Sequence, residues 1–143
     1  MAAFVVRFDV KRGNEVAWVD GMTKDEADGL EYKAMASGLD KIEEDYVYFK
    51  LNNLFGLAVF HKLSIDSPEE RNARFTSTGF MSANFTELYK QMDFLRSQSE
   101  HINKNPGDYL QMAKKFDKLK LKTTAGSPLA NRALVSVAES ERT

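Results

Sequence analysis

The sequence predicts an α/β (α+β) domain: a five-stranded antiparallel sheet with helices on both faces and elements in the order β-β-α-β-β-β-α-α. Three observations carry that expectation. Apolar and polar residues alternate in FVVRFDV at 4–10. A near-continuous apolar run, LFGLAVFHKLSI, fills 54–65. From residue 84 the apolar spacing becomes helical.

In the first strand Phe4, Val6, Phe8 and Val10 share one strongly apolar face, and Val5, Arg7 and Asp9 share the other. Gly13 and Asn14 supply turn chemistry before a second strand, EVAWVD at 15–20, so the two form a hairpin. DGMTKDEADG at 20–29 is acidic, framed by Asp-Gly pairs, and reads as a loop. Leu30, Ala34, Met35, Leu39 and Ile42 follow helical spacing, but Gly38 interrupts them, which places one short helix over about 30–37. DYVYFKL at 45–51 is rich in aromatic and β-branched residues and reads as a strand. Asn52-Asn53 tolerates positive φ and suits a tight turn. The apolar run at 54–65 then fits a central strand covered on both faces. After a polar loop at 66–72, ARFTSTGFM at 73–81 is the fifth strand, its Ser and Thr side chains expected to face outward.

Asn84 is placed to cap a helix, with Glu87 reaching back as in a capping box. Phe85, Leu88, Tyr89, Met92 and Leu95 share one face of that helix. Asn105-Pro106 reads as a second start, a cap followed by proline at the first helical position, with Tyr109, Ala113, Phe116 and Leu119 as its apolar face. From residue 123 the pattern stops. The expected domain spans 1–122, and 123–143 read as a linker or C-terminal extension.

Composition narrows the function. The chain has 143 residues, enough for one domain with its own core, and its 43% hydrophobic content excludes disorder along the whole length. It has no cysteine, which excludes a disulfide framework, a thiolate metal site and a cysteine nucleophile. His61 and His101 are the only histidines, too few for a multi-histidine metal centre. No apolar run approaches the roughly 20 residues of a membrane span, and the N-terminus lacks the pattern of a secretion signal. The expected location is cytoplasmic, with at most peripheral contact on intracellular membranes. The net charge of −1 is spread unevenly, from acidic at 1–50 to basic at 101–143. Five lysines lie in QMAKKFDKLKLK at 111–122. They fit the last turns of a helix, where the dipole favours cations; the other reading is a patch for an acidic partner or an anionic membrane.

Motifs for catalysis are missing from the string. It holds no phosphate-binding glycine loop, dinucleotide fingerprint, nucleophile elbow or helical His-Glu-x-x-His. His61, in an apolar strand, reads as a core or surface histidine. Asp25, Glu26 and Asp28, like Glu43, Glu44 and Asp45, are adjacent acids in loops, normally solvated rather than held in the partly dry cleft that acid–base chemistry needs. A slightly negative chain with no basic-aromatic motif is a poor match for nucleic acid. No catalytic residue, cofactor or metal is expected.

Four segments carry a resemblance: GLEYKAMASGLDKIEEDYVYFK at 29–50, FGLAVFHKL at 55–63, ERNARFTSTGFMS at 70–82 and LYKQMDFL at 88–95. Together they resemble the N-terminal region of the LCHN branch of the DENN domain-containing proteins. The run Tyr32-Lys33-Ala34-Met35-Ala36-Ser37-Gly38, the strand core Phe55-Gly56-Leu57-Ala58 and the segment from Arg74 to Gly79 match that branch in order and spacing. The resemblance covers about residues 4–122 and implies a longin/profilin-like fold, the longin (upstream DENN) module, with the element order derived above.

It also implies a role in membrane traffic. Many DENN proteins are guanine-nucleotide exchange factors, whose longin and following DENN lobes grip a Rab GTPase together. Exchange of that kind involves no covalent step; the factor binds the nucleotide-free GTPase better than the loaded one. The implied partners are a Rab-type GTPase and the following DENN lobe. Independently of the resemblance, the short helix around 32–37 and the strand at 46–50 are expected to form the less covered sheet face. Glu31, Lys33, Met35, Tyr48 and Lys50 are the candidate partner-binding residues there. A second reading is a structural assembly module that pairs through a sheet edge or helix face, as a homodimer or longin–longin pair, and contacts no GTPase. A third, an enzyme with an unrecognised site, requires a deep polar pocket with convergent ionisable groups.

Overall fold

Element order follows the alternation read from the sequence: β1 (Ala2–Asp9), β2 (Gly13–Asp20), α1 (Leu30–Lys33), β3 (Glu44–Leu51), β4 (Leu54–Ser64), β5 (Ala73–Ser82), α2 (Phe85–Tyr89), α3 (Met92–Lys104) and α4 (Leu110–Gly126). The computed structural model describes residues 1–9, 11–35, 43–64, 68 and 73–126. Val10, the part of the expected first helix beyond Met35, all of the 66–72 loop except Pro68, and 127–143 lie outside the described residues. The five strands form one antiparallel sheet in the order β2-β1-β5-β4-β3. Helices lie on both faces, as expected.

Two cores result, one on each face. Ala3, Val5, Leu57, Val59 and Phe80 point toward α2–α4 and pack against Leu88, Leu95, Ile102, Met112, Phe116 and Leu119. Phe80 stacks between Phe94 and Phe116, with centroids 6.3 Å away on each side. On the opposite face Phe4, Val6, Ala58, Phe60 and Met81 pack against Leu30, Ala34 and Met35 of α1 and its flank. The sheet floor beneath α1 is made of small residues. Gly56 lies opposite Phe49 in the β3–β4 register, and Gly79 lies opposite Phe4 and Ala58. The Phe49 ring covers Gly56, the Phe4 ring reaches over Gly79, and the two rings meet edge to face at 5.8 Å. Ser77 Oγ rises from the same floor and donates to the Ala34 carbonyl at the end of α1.

Several local expectations are corrected. β1 is buried on both faces from Ala2 to Val6, not on one, because it lies inside the sheet. Thr76, Ser77, Thr78 and Ser82 are buried rather than outward, because β5 runs between β1 and β4 beneath helices on both sides. Ser99 Oγ of α3 also enters the core, donating to the Val59 carbonyl at 2.7 Å, while the buried Thr78 hydroxyl has no hydrogen-bond partner among the described residues. The helix expected from Asn84 divides at Lys90–Gln91, where the Gln91 N–H donates to the Leu88 carbonyl at 2.9 Å, a tighter turn than α, before α3 begins. Asn84 does cap α2, its Oδ1 accepting the Thr86 N–H at 3.0 Å. Glu87 does not close a capping box; Ser82 Oγ takes the Asn84 N–H, and Glu87 pairs with Lys90 at 3.6 Å. Asn105 ends α3 instead of starting α4, its Nδ2 donating to the His101 carbonyl at 2.9 Å. Gly107, at φ 94°, and the 2.8 Å His101–Asp108 pair shape the turn, so α4 starts at Leu110. Met112 replaces Ala113 as the fully buried residue of its first turn.

Two predictions follow from this packing. A Cβ at Gly79 would sit against the Leu57 carbonyl oxygen, 2.6 Å from Phe4 Cζ and 2.8 Å from Ala58 Cα, and neither neighbouring backbone can retreat within the ladder. Gly79→Ala is therefore expected to destabilise the chain by about 3 kcal/mol, read from urea denaturation. The second concerns the β1–β2 hairpin, where the Asp9 carboxylate accepts the N–H groups of Lys11 at 2.8 Å and Arg12 at 3.0 Å. The Lys11 bond foremost, then the Arg12 bond, lowers the Asp9 pKa below its ordinary 3.8. Such a group stabilises the fold above its unfolded pKa, and that contribution is lost as pH falls through the folded value. An NMR titration is expected to place the Asp9 midpoint below 3.8, with the Lys11 amide losing protection over the same range.

Candidate partner-binding site

The segment before α1 is more ordered than a loop. Thr23 and Glu26 cap each other: the Thr23 N–H donates to Glu26 Oε1 at 2.8 Å, and the Glu26 N–H to Thr23 Oγ1 at 3.1 Å. Gly29, at φ 92°, supplies the left-handed turn into α1, and its N–H donates to Glu31 Oε1 at 3.1 Å. Asn52 of the β3–β4 turn, at φ 52°, holds the segment from the far side by donating to the Glu26 carbonyl. Leu30, Ala34 and Met35 are then driven into the core, and burial of Leu30 alone is worth about 2 kcal/mol. What remains outside is Glu31, half-buried, with Tyr32 and Lys33 exposed; Tyr32 is 72% accessible.

Beside this helix a groove of about 440 Å³ runs along β2, lined by residues 14–19 and by Lys24, Ala27, Asp28 and Glu31. Its ionisable lining is Glu15, Asp28 and Glu31 against Lys24, a net acidic wall. Glu15 is held in place by Arg7 at 2.7 Å and Arg12 at 3.4 Å. The hydrogen bond from Arg7 to Glu15 raises the guanidinium pKa.

The five candidate residues are not on one surface. Glu31 and Lys33 are both on α1, and of the two Glu31 lines the groove. Met35 is buried, because its side chain completes the apolar contact of the α1 end with the sheet floor. Tyr48 and Lys50 point to the opposite face of the sheet, since Val47, Phe49 and Leu51 are the β3 residues that pack on the α1 side. There Tyr48 joins an exposed aromatic corner that the residue spacing did not reveal. Its ring lies 5.6 Å from Phe85, and Phe85 lies 6.0 Å from Phe55. Lys50 Nζ sits 5.6 Å over the Phe55 ring, and the Tyr48 hydroxyl reaches Met92 Sδ at 3.8 Å. The groove was missed too, although Thr-x-x-Glu at 23–26 is a legible capping signal within the stretch read as loop.

Other shifted groups are local. His101 bonding lowers the Asp108 pKa, Lys104 bonding lowers that of Glu100, and burial raises that of Tyr109. His61 is half-buried beside Asn103, whose Nδ2 donates to the His61 carbonyl at 2.8 Å and to the Arg74 carbonyl at 3.0 Å, tying α3 to β4 and β5. Among the described residues no group of three His, Cys, Asp or Glu side chains is placed to hold a metal ion, and no helix is long and apolar enough to cross a membrane. The groove and the aromatic corner offer surfaces for non-covalent contact.

A five-stranded antiparallel sheet with α1 on one face and α2–α4 on the other defines a longin-like domain. The sequence profile of DENN domain-containing protein 11 matches residues 3–142, and the chain belongs to that family. It is 42% identical over 113 residues to DENN domain-containing protein 11 of Rattus norvegicus, covering 79% of this chain and 25% of the relative. The Xenopus laevis protein of that name is 42% identical over 108 residues, covering 76% and 25%. The Danio rerio protein is 41% identical over 110 residues, covering 76% and 22%. The chain thus spans about a quarter of the length of these relatives.

Proposed function

We propose that this chain is a non-catalytic interaction domain of a DENN-family membrane-traffic regulator, contributing one lobe of a module that binds a Rab-type GTPase and promotes nucleotide exchange. Family membership supports the class of partner. The observation that supports the location is the acidic groove along β2, with Tyr32 exposed next in sequence to the lining residue Glu31. An aromatic side chain with a polar tip, held on an anchored helix beside a concave wall, is the kind of side chain that dominates protein interfaces. Glu31 and Lys33 flank it, and the following DENN lobe would hold the GTPase from the other side. Action is cytoplasmic, peripheral to whichever membrane carries the GTPase. Exchange needs only differential affinity: a hundredfold preference for the nucleotide-free state corresponds to about 2.8 kcal/mol.

The test is titration of the chain against immobilised Rab-type GTPases, each nucleotide-free and GTP-loaded. One member is expected to bind at least tenfold more tightly without nucleotide. Tyr32→Ala is expected to weaken that binding about tenfold, or about 1.4 kcal/mol, and Glu31→Lys to weaken it further at low salt. Binding unaffected by either substitution, or no preference between nucleotide states in any member, contradicts the reading.

A further inference from the structure

We infer that β3 pairs antiparallel with β3 of a second copy of this chain, with Val47 opposite Val47 at the two-fold axis. The sheet ends in two strands, and they differ. In β2 the register passes from Val5↔Trp18 to Val6↔Val16, leaving Ala17 as a bulge that breaks the edge. In β3 the register runs unbroken from Glu44↔His61 to Leu51↔Leu54. Among the described residues no strand pairs with its outer side.

The backbone fixes which groups point outward. The Lys62 N–H donates to the Glu43 carbonyl at 2.8 Å, so odd-numbered residues of this strand face β4. The amides and carbonyls of Glu44, Tyr46, Tyr48 and Lys50 therefore face away from the sheet. In keeping with this, the Tyr46 N–H is taken by the neighbouring Asp45 carboxylate at 2.8 Å instead of a strand.

The sequence of this edge, EDYVYFKL, is complementary to itself when reversed. With Val47 at the axis, Glu44 faces Lys50 of the second copy and Tyr46 faces its Tyr48, and each pair recurs by symmetry. All four positions are hydrogen-bonded ones in an antiparallel ladder, so the outward groups meet one another. Shifting the axis to Tyr46 or Tyr48 leaves Lys50 or Glu44 without its counter-charge, and parallel pairing sets like charges side by side. Glu44 already holds Arg96 at 2.7 Å and would bridge Arg96 and the incoming Lys50. The exposed Tyr48–Phe85–Phe55 corner adjoins this edge on the same face, so the paired tyrosines extend an existing apolar surface.

Sedimentation equilibrium of the 143-residue chain, from low to high micromolar, tests this. A monomer–dimer equilibrium is expected. Glu44→Lys and Lys50→Glu should each weaken it at least tenfold by opposing like charges, and an equimolar mixture of the two variants should dimerise again. Tyr48→Pro removes the outward N–H and the exposed Tyr48 ring but no bond of the β3–β4 ladder, so its far-UV circular dichroism should match the parent while the dimer is lost. A chain that stays monomeric overturns the inference, whatever other protein the edge then captures. So does a dimer insensitive to the charge changes, or one that mixing fails to restore. Tyr32→Ala, on the groove side, should leave the dimer unchanged, which separates this result from the GTPase reading.

Discussion

The small-residue floor of the sheet under α1 is the constraint on which the rest depends. Gly56, Ala58, Ser77 and Gly79 leave room for the rings of Phe49 and Phe4 to lie across the strands. Those rings, with Phe60 and Met81, form the surface on which Leu30 and Ala34 seat α1. Ser77 completes the seat through the Ala34 carbonyl. A helix of 4 residues has little stability of its own, so its position is set by this packing and by the caps at Thr23 and Gly29. Remove the floor and the orientation of Tyr32 and Lys33 has no support.

Covering both faces has a consequence for function. With α2–α4 on one side and α1 on the other, the middle strands are buried from Ala2 to Val6 in β1 and from Thr76 to Ser82 in β5. Contact is left to the helix flanks and to the two sheet edges. The edges have different characters: β2 is bulged, bordered by an acidic groove and by α1, while β3 is regular, ends in opposite charges and is flanked by aromatic rings. The two proposed contacts therefore lie on separate parts of the domain. That arrangement suits a family whose members are about three times the length of this chain.

Much of the fold was legible in the sequence because it rests on local periodicity. The alternation at Phe4, Val6 and their neighbours, the two-asparagine turn with φ of 52° and 64°, and the Asn84 cap are short-range signals. What the sequence hid depends on strand order. Thr76, Ser77 and Thr78 look like a solvent face, and only their place between β1 and β4 buries them. The five candidate residues are spread over different surfaces for the same reason. Met35 and Tyr48 have similar apolar-edge character in the string, yet one completes a core and the other lies on the far side of the sheet. The groove is built from β2 and the 24–31 segment, whose proximity follows from α1 packing back over the sheet. The charges of Glu44 and Lys50 were visible, but their meaning as a self-complementary edge needed the direction of the backbone groups.

Amide hydrogen exchange of the chain with and without a nucleotide-free Rab-type GTPase tests the central claim, that the α1–β2 corner is the working surface. Slowed exchange at residues 14–19 and in α1, with β1 and β5 unchanged, is the expected result. Protection confined to α3 and α4, with β2 and α1 exchanging as in the free chain, would contradict it.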